Sequence, residues 1–453
     1  ALLDHHLLLG PCGSCDPEVA VIMKQSPGNA LIVGLGKTGV SVARHLAARG
    51  WQIAVTDTRF DPPGVAELNE IAPNARCGFG AFDAALLSNV DLVVASPGVS
   101  PAEPLLQSAR IRGIETVGDI ELFAREVQAP VIGITGTNGK STVTTLVGRM
   151  AARAGVAVAV GGNLGAPALD LLASGTPELF VLELSSFQLD TTFSLRLRAA
   201  TVLNVTEDHL DRYGTMQAYA ASKARIFERC EHAVLNLDDP LVARMLPSGS
   251  AVSGFSIASV SGARYHLATV QGAKWLAIDA EPVMALHEMR LGGLHNAANA
   301  LAALALGDAA GLPREAMLAE LREFSGLPHR SQWVGEHAGV RYVNDSKGTN
   351  VGATLAAVCG HEGGLIVIAG GDGKGQDFSP LASAFAGRVR HTFLIGRDAG
   401  RIAEVLRGIC PTDIVASLDE AVRRAAQVAV PGDTVLMSPA CASLDMFRDY
   451  AQR

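Results

Sequence analysis

The sequence lacks any run of 18 consecutive apolar residues, so no transmembrane helix is expected. It also lacks a block of lysine and arginine residues, and its formal net charge is −8, so nucleic acid is not an expected partner. The segment ALLDHHLLLGPCGSC at the start has neither the basic region nor the small-residue cleavage site of a secretory signal. These absences favour a protein that binds small molecules.

Cysteine is scarce and irregularly spaced: seven residues, an odd number, are scattered along the chain, which suits a reducing cytoplasm. Cys12 and Cys15 form one C-x-x-C pair with no second pair to complete a zinc site, so accidental spacing is the favoured interpretation. Residues 1–22 precede Met23 and the first strong strand pattern, and we expect them to be a disordered, dispensable extension.

Glycine is abundant, with 48 residues, while aromatic residues make up 5% of the chain. Three apolar runs end in a glycine loop and continue into a helical pattern, at 30–50, 131–155 and 364–387. Such runs indicate parallel sheets covered by helices. We therefore predict an α/β fold of three domains, with a Rossmann-like N-terminal domain at 23–118, a central P-loop-type ATPase domain with a mostly parallel sheet at 119–326, and a Rossmann-like C-terminal domain at 327–453. Short strands at 251–292 are expected to add to the central domain.

The first glycine loop reads Gly34-x-Gly36-x-x-Gly39, and a second strand ends at Asp57 about 20 residues on. This spacing is typical of a dinucleotide site, where backbone N–H groups approach a pyrophosphate. Three interpretations stay open: an NAD site, a tight turn without a ligand, or a site for another diphosphate such as a UDP-sugar.

The second loop, GITGTNGKSTVTTL, resembles a phosphate-binding loop, but Ile134 stands where the usual pattern has its first glycine. Its position between a strand and a helix predicts a shorter loop that still binds phosphate. Lys140 would meet the terminal phosphate, and the hydroxyl of Ser141 or Thr142 would reach Mg²⁺.

Two further polar residues close predicted strands, Glu183 in VLELSSFQL and His209 in LNVTEDHLDRY. Ligands collect at the carboxyl ends of parallel strands, so both could join the loop around one or two magnesium ions. A paired core carboxylate and a helix cap are the simpler alternatives.

These motifs, together with LGGLHNAANALAALAL, GLPHR, NDSKGTN and SPACASLDMF, resemble the Mur ligases of peptidoglycan precursor synthesis over residues 30–450. LELSSFQL, NDSKGTN and SPACASLD are similar to the glutamate-adding branch of that family. The resemblance implies a cytoplasmic, monomeric enzyme with ATP as co-substrate and two Mg²⁺ ions. It also implies that D-glutamate is joined to UDP-N-acetylmuramoyl-L-alanine through an acyl phosphate, with neither nucleic acid nor membrane as a partner.

The resemblance also implies the residues of each site. The ATP contacts would be Gly136, Thr137, Asn138, Gly139, Lys140, Ser141, Thr142, Asn296, Asn299, Arg330, Asp345 and Lys347. The UDP-substrate contacts would be Lys37, Thr38, Thr58, Arg59, Gly98, Asn163, Gln188 and His209. The glutamate contacts would be Thr349, Lys374, Ser443 and Tyr450. The metal ligands would be Ser141, Glu183, His209 and a Lys223 carbamylated by CO₂, and the catalytic residues Lys140, Glu183, His209 and Lys223.

Several alternatives stay open on the sequence. The same chemistry could use L-glutamate, because both enantiomers carry the same charges, or it could serve a folylpolyglutamate synthase. An NAD-dependent oxidoreductase or a non-catalytic UDP-sugar-binding protein would leave the predicted magnesium site without a role. Nucleotide contacts in two different domains also predict that the third domain moves as a lid on linkers near residue 326.

Overall fold

A computed structural model describes residues 27–246, 248–258, 260–361 and 363–453. The predicted extension at 1–22, with Cys12 and Cys15, lies outside the described residues. In the described part, three sheets follow one another along the chain and confirm the predicted three-domain α/β fold. None of the helices in this part has the length and apolar character needed to cross a membrane. The domain limits themselves stay predictions.

The first sheet is wholly parallel, with the strand order β3-β2-β1-β4-β5. Its strands are β1 (Asn29–Val33), β2 (Gln52–Asp57), β3 (Arg76–Phe79), β4 (Leu92–Ala95) and β5 (Glu115–Val117), and its helices are α1 (Lys37–Ala47), α2 (Val65–Ile71), α3 (Pro104–Ile111) and α4 (Asp119–Ala124), with a 3₁₀ turn at Ala84–Leu87. The strand order reverses between β1 and β4, where open α/β sheets bind their ligands. The glycine loop that follows β1 lies at this point.

The second sheet has the order β14-β13-β12-β11-β10-β9-β6-β8-β7 and places β6 between β8 and β9. Its strands are β6 (Val131–Thr135), β7 (Val158–Gly162), β8 (Leu179–Glu183), β9 (Ala199–Val202), β10 (His232–Asn236), β11 (Ala251–Ser256), β12 (Ala263–Val270), β13 (Ala273–Ile278) and β14 (Glu281–Ala285). Its helices are α5 (Lys140–Arg153), α6 (Ala168–Ala173), α7 (Ser186–Leu189), α8 (Leu210–Tyr213), α9 (Met216–Ala224), α10 (Leu294–Ala309) and α11 (Arg314–Glu323), with 3₁₀ turns at Arg225–Phe227, Val242–Arg244 and Leu286–Glu288. The pairs β12–β13 and β13–β14 are antiparallel and extend an otherwise parallel sheet, so the strands expected at 251–292 are present.

The third sheet has the order β15-β16-β20-β17-β18-β19, and only the β15–β16 pair is antiparallel among its described strands. Its strands are β15 (Gln332–His337), β16 (Val340–Asn344), β17 (Leu365–Gly370), β18 (Val389–Ile395), β19 (Thr412–Ile414) and β20 (Thr434–Met437), and its helices are α12 (Val351–Gly360), α13 (Pro380–Phe385), α14 (Ala399–Val405) and α15 (Leu418–Val428). The adjacent strands β16, β20 and β17 therefore bring three candidate loops to one edge of the sheet.

The core of the central domain holds the phosphate-loop segment in place. Val143 and Val147 of α5 are fully buried in one cluster with Ile132 of β6 and Leu301 of α10. Because burial of each such side chain is worth about 1.5–3 kcal/mol, the strand and both helices form one rigid support. The loop between β6 and α5 is fixed at both of its ends.

Candidate active site

The loop between β6 and α5 runs over residues 136–139 and requires glycine at two positions. Gly136 has φ +147° and Gly139 has φ +84°, both in the region that disfavours residues with a side chain. A Cβ at Gly139 would lie 2.6 Å from Asn299 Oδ1 of α10, so an added methyl group would force the Asn299 side chain to shift. The loop is shorter than the usual pattern, and α5 begins directly at Lys140, where helix N–H groups can bind an anion.

Two lysine side chains converge on this loop. Lys140 Nζ donates to the carbonyl oxygens of Gly136 and Thr137, at 2.9 Å each. Lys223 Nζ donates to the same Gly136 oxygen at 3.0 Å and lies 4.4 Å from the centre of the Tyr219 ring. Lys223 is only 1% exposed. Burial, together with the charge of Lys140, holds the pKa of Lys223 well below its ordinary value.

Glu183, at the end of β8, faces the same loop and is 3% exposed. Its Oε2 accepts from Ser141 Oγ at 2.5 Å, and its Oε1 accepts from Asn163 Nδ2 at 2.6 Å. Arg330, two residues before β15 of the third sheet, donates from Nη2 to Ser141 Oγ at 2.5 Å. A carboxylate and a hydroxyl are ligands suited to Mg²⁺, which fits the predicted pair Ser141 and Glu183.

His209 follows β9, and it shares one aromatic neighbour, Tyr219, with Lys223. Its ring centroid lies 4.8 Å from that of Phe187 and 6.1 Å from that of Tyr219. Burial lowers the pKa of His209, which favours the neutral imidazole that can bind a metal. Within the described residues, no three His, Cys, Asp or Glu side chains form a metal cluster.

A cavity of about 290 Å³ lies between the central and C-terminal domains, beside the loop. Eight of the predicted ATP residues line it: Asn138, Gly139, Thr142, Asn296, Asn299, Arg330, Asp345 and Lys347. The other four, Gly136, Thr137, Lys140 and Ser141, lie outside its lining. Two charged residues of the lining show strong effects of burial, which raises the pKa of Asp345 to about 6 and lowers that of Lys347 to about 8. The C-terminal domain thus supplies one wall of this cavity.

A second cavity, of about 720 Å³, opens at the reversal point of the first sheet. Seven of the eight predicted UDP-substrate residues line it: Lys37, Thr38, Thr58, Arg59, Gly98, Asn163 and Gln188. The eighth, His209, does not line it. Asp57 accepts from the Leu35 N–H at 2.7 Å and is paired with Arg59, whose hydrogen bond lowers the pKa of Asp57 to about 2. Both contacts of Asp57 are therefore within the protein: one with the glycine loop after β1, through Leu35, and one with Arg59.

The four predicted glutamate residues lie on loops of the third domain. Lys374 has φ +51° and its Nζ lies 3.6 Å from Asp208 Oδ1 of the central domain. Ser443 is buried, and the Thr349 N–H donates to the Lys347 carbonyl at 2.8 Å. Tyr450 lies beside Lys347, a residue of the 290 Å³ cavity, since Lys347 Nζ is 3.9 Å from the centre of the Tyr450 ring.

Comparison with known proteins decides the family. The MurD-like N-terminal domain of Mur ligases matches residues 28–118, the Mur ligase middle domain matches 134–307, and the Mur ligase glutamate ligase domain matches 329–441. A UDP-N-acetylmuramoylalanine–D-glutamate ligase of Nitrosococcus oceani is 52% identical over 95% of this chain and 96% of its own.

The chain belongs to the Mur ligase family.

A second relative, the enzyme of the same name from Pseudomonas syringae pv. syringae, is 51% identical over 93% of this chain and 95% of its own. Among solved structures, a pseudomurein peptide ligase type C from Methanothermus fervidus has a TM-score of 0.59 at 19% identity and covers 90% of this chain and 96% of its own. That structure supports the Mur ligase fold alone.

Three residues of this Mur ligase that contact the site were missed by the sequence reasoning. Asn204 accepts from the Asn138 N–H at 2.8 Å and donates to the Asn138 carbonyl at 3.0 Å, which fixes the phosphate loop. Asp208 faces Lys374, as described above. Asp119, fully buried, accepts from Gln188 Nε2 at 3.1 Å and orients that amide. Asn204 and Asp208 lie within the quoted LNVTEDH motif, so their closeness to a strand end was the available signal.

Proposed function

We propose that this protein uses ATP to join D-glutamate to UDP-N-acetylmuramoylalanine, as the names of its relatives state for them. Two relatives at 51% and 52% identity over nearly the whole chain support this substrate pair. One observation in the structure carries the proposal. Asn163 lines the 720 Å³ cavity and also donates to Glu183 beside the phosphate loop. The acceptor's carboxylate would therefore reach the terminal phosphate of ATP.

The acceptor's carboxylate is a poor electrophile, and this explains why the reaction would need ATP. A free carboxylate resists attack by an amine because oxide would have to leave. Transfer of the terminal phosphoryl group of ATP to the L-alanyl carboxylate gives an acyl phosphate and ADP. The glutamate amine then attacks the acyl carbon, the amide bond forms, and phosphate leaves.

Phosphoryl transfer between two anions depends on neutralising charge and on holding the reacting groups in line. Lys140 and the N–H groups at the start of α5 would receive the phosphates, and Arg330, which contacts Ser141 from the third domain, would add a second cation there. Magnesium, when bound, would neutralise phosphate charge, with Ser141 and Glu183 as ligands. Asn296, Asn299, Asp345 and Lys347 would hold the nucleoside part of ATP, because they line the adjoining cavity.

A second metal position is part of the proposal. A lysine must lose its proton before its nitrogen can add to CO₂, and the burial of Lys223 favours that neutral form. The resulting carbamate would be an anion next to His209, suited to a second magnesium ion. The nearby charge of Lys140 would offset the carbamate charge.

The remaining contacts follow from position. Lys37, Thr38, Thr58, Arg59, Gly98 and Gln188 would bind the UDP-sugar in the 720 Å³ cavity. Thr349, Lys374 and Ser443 would bind glutamate, while Tyr450 would contact it only from the nucleotide side. The C-terminal domain would move as a lid over the central domain, and the Arg330–Ser141 hydrogen bond would hold the closed position. ATP as co-substrate places the reaction in the cytoplasm.

The test measures phosphate release from ATP by the full chain with UDP-N-acetylmuramoyl-L-alanine, comparing D-glutamate, L-glutamate and no amino acid. We expect release only with D-glutamate. Release with L-glutamate alone, or with dihydrofolate as acceptor, would overturn the proposed specificity.

A further inference from the structure

Arg453 is a buried arginine on which the proposed chemistry does not depend. It is 7% exposed, and its guanidinium contacts two separate loops. Towards the first loop, Nε donates to Ser346 Oγ at 3.1 Å and Nη2 to the Ser346 carbonyl at 2.8 Å. Towards the second, Nη1 and Nη2 both donate to the Cys441 carbonyl at 3.2 Å. One side chain thus joins two segments that are 95 residues apart in the sequence, as 441 minus 346 shows.

The two loops carry substrate contacts. They follow the adjacent strands β16 and β20, so they lie side by side at one edge of the third sheet. Ser346 stands between Asp345 and Lys347, which line the 290 Å³ cavity. Cys441 is two residues before Ser443. A shift of either carbonyl would displace a proposed nucleotide or glutamate contact.

Among the described residues, no carboxylate forms a direct ion pair with the Arg453 guanidinium. Asp345 and Asp445 act on it from a distance, and burial lowers the pKa of Arg453 to about 10, so it stays protonated at neutral pH. A buried cation is costly unless its donors are well paired. Here the hydrogen bonds to two carbonyls and a hydroxyl offset that cost. The planar fork of arginine can span both loops, whereas the single ammonium of a lysine cannot.

We propose that Arg453 is a positioning residue, which holds the 345–349 and 438–443 loops in the register that ATP and glutamate binding need. Ser346 Oγ extends the arrangement, since it donates to the Tyr450 carbonyl at 2.7 Å. The expectation for kinetics rests on the proposed function, because that function assigns ATP and glutamate to these loops. The UDP-substrate cavity is built from the other two domains and does not depend on them.

The experiment compares wild type with R453M, R453K and R448M in the full chain. Arg448 is the matched control, because its side chain is 83% exposed and, among the described residues, its one ion pair is with Asp449 at 3.6 Å. For R453M we expect KM for ATP and for D-glutamate to rise about tenfold, as the loss of about 1.4 kcal/mol would give. KM for the UDP substrate should stay within about twofold. R453K should fall between R453M and wild type, and R448M should match wild type.

A fall in kcat with all three KM values unchanged, or an equal rise of all three, would overturn the proposal. Hydrogen exchange in the absence of substrates separates this inference from the proposed function. In R453K, exchange of the 345–349 and 438–443 amides should be faster than in wild type, while α15 should not change. Unchanged exchange in both loops would overturn the proposal even if R453M does not fold. Faster exchange together with an inactive wild type would refute the proposed function and leave the positioning role of Arg453 intact.

Discussion

Lys140 and Lys223 donate to one acceptor, the carbonyl oxygen of Gly136, at 2.9 and 3.0 Å. Two lysine nitrogens at one carbonyl repel each other when both are charged. Burial lowers the pKa of both lysines, and the charge of Lys140 lowers the pKa of Lys223 as well. The two lysines therefore suit different tasks: Lys140 as a cation for phosphate, and Lys223 as a neutral amine.

Replacing Lys140 by alanine removes the cation proposed to meet the phosphates. We expect turnover to fall about 10³-fold, in line with the loss of a preorganised charge at a phosphoryl group. Binding of the UDP substrate should survive, because Lys140 does not line the 720 Å³ cavity. Phosphate-release kinetics and calorimetry measure the two effects. Lys274→Ala, at an exposed position of β13, is the control, and turnover like wild type in Lys140→Ala would contradict the assignment.

Replacing Lys223 by alanine removes the proposed site of carbamylation. Turnover should fall about 10²-fold or more, and acetate in solution should restore part of it by supplying a carboxylate near His209. Wild type should also lose activity when bicarbonate and CO₂ are stripped from the buffer. Full activity of Lys223→Ala, or no response of wild type to CO₂ removal, would contradict the carbamate.

Gly139→Ala tests the close approach between the phosphate loop and α10. Gly155→Ala is the matched control, because its φ of +83° equals the +84° of Gly139 within a degree but its Cβ would point into open space. Both changes should cost about 1 kcal/mol of folding free energy through backbone strain. Only Gly139→Ala should weaken ATP binding, by about tenfold or more, because its Cβ meets Asn299. Equal ATP affinity in the two variants would show that this contact does not shape the site.

Asp119 should make stability depend on pH. Burial raises its pKa from 3.8 to about 6, so the folded state holds a proton that the unfolded state has already lost between these values. The stabilisation is therefore complete below about pH 4 and is lost as the pH rises through about 6, by about 3 kcal/mol.

Urea unfolding of wild type and Asp119→Asn at pH 4 and pH 7 measures this difference. Wild type should lose free energy of unfolding relative to Asp119→Asn as the pH rises. Asp61→Asn, at an exposed position, should show no such change relative to wild type. A constant difference between wild type and Asp119→Asn at both pH values would contradict the buried, protonated carboxyl.

The α/β fold was predictable because three strands read as continuous apolar runs that end in glycine. The hairpin of β15 and β16 was not predicted, since β15 is an edge strand whose Trp333 and Val334 are exposed and therefore carries no buried pattern. The strands at 251–292 were expected, but the antiparallel direction of the pairs β12–β13 and β13–β14 was not predicted. The direction of pairing is set by turns rather than by the hydrophobic pattern.

The site was predictable where a motif carried it, and less so elsewhere. The glycine loop and Glu183 could be inferred from their positions at strand ends, although their roles stay predictions. The burial of Lys223 could not, because it depends on the contact of Lys223 with the Gly136 carbonyl, which is 87 residues away in the sequence. The contact of Asp119 with Gln188 joins residues 69 apart, which only the folded chain brings together.

The central claim is that ATP activates the acceptor's own carboxylate. The most direct measurement labels both oxygens of the L-alanyl carboxylate of UDP-N-acetylmuramoyl-L-alanine with ¹⁸O and follows the label by mass spectrometry. An acyl phosphate carries one of these oxygens between carbon and phosphorus, and that oxygen leaves with phosphate when the glutamate amine attacks. We predict one ¹⁸O atom in each phosphate released and one in each amide formed. Phosphate without the label, alongside normal product, would contradict the account.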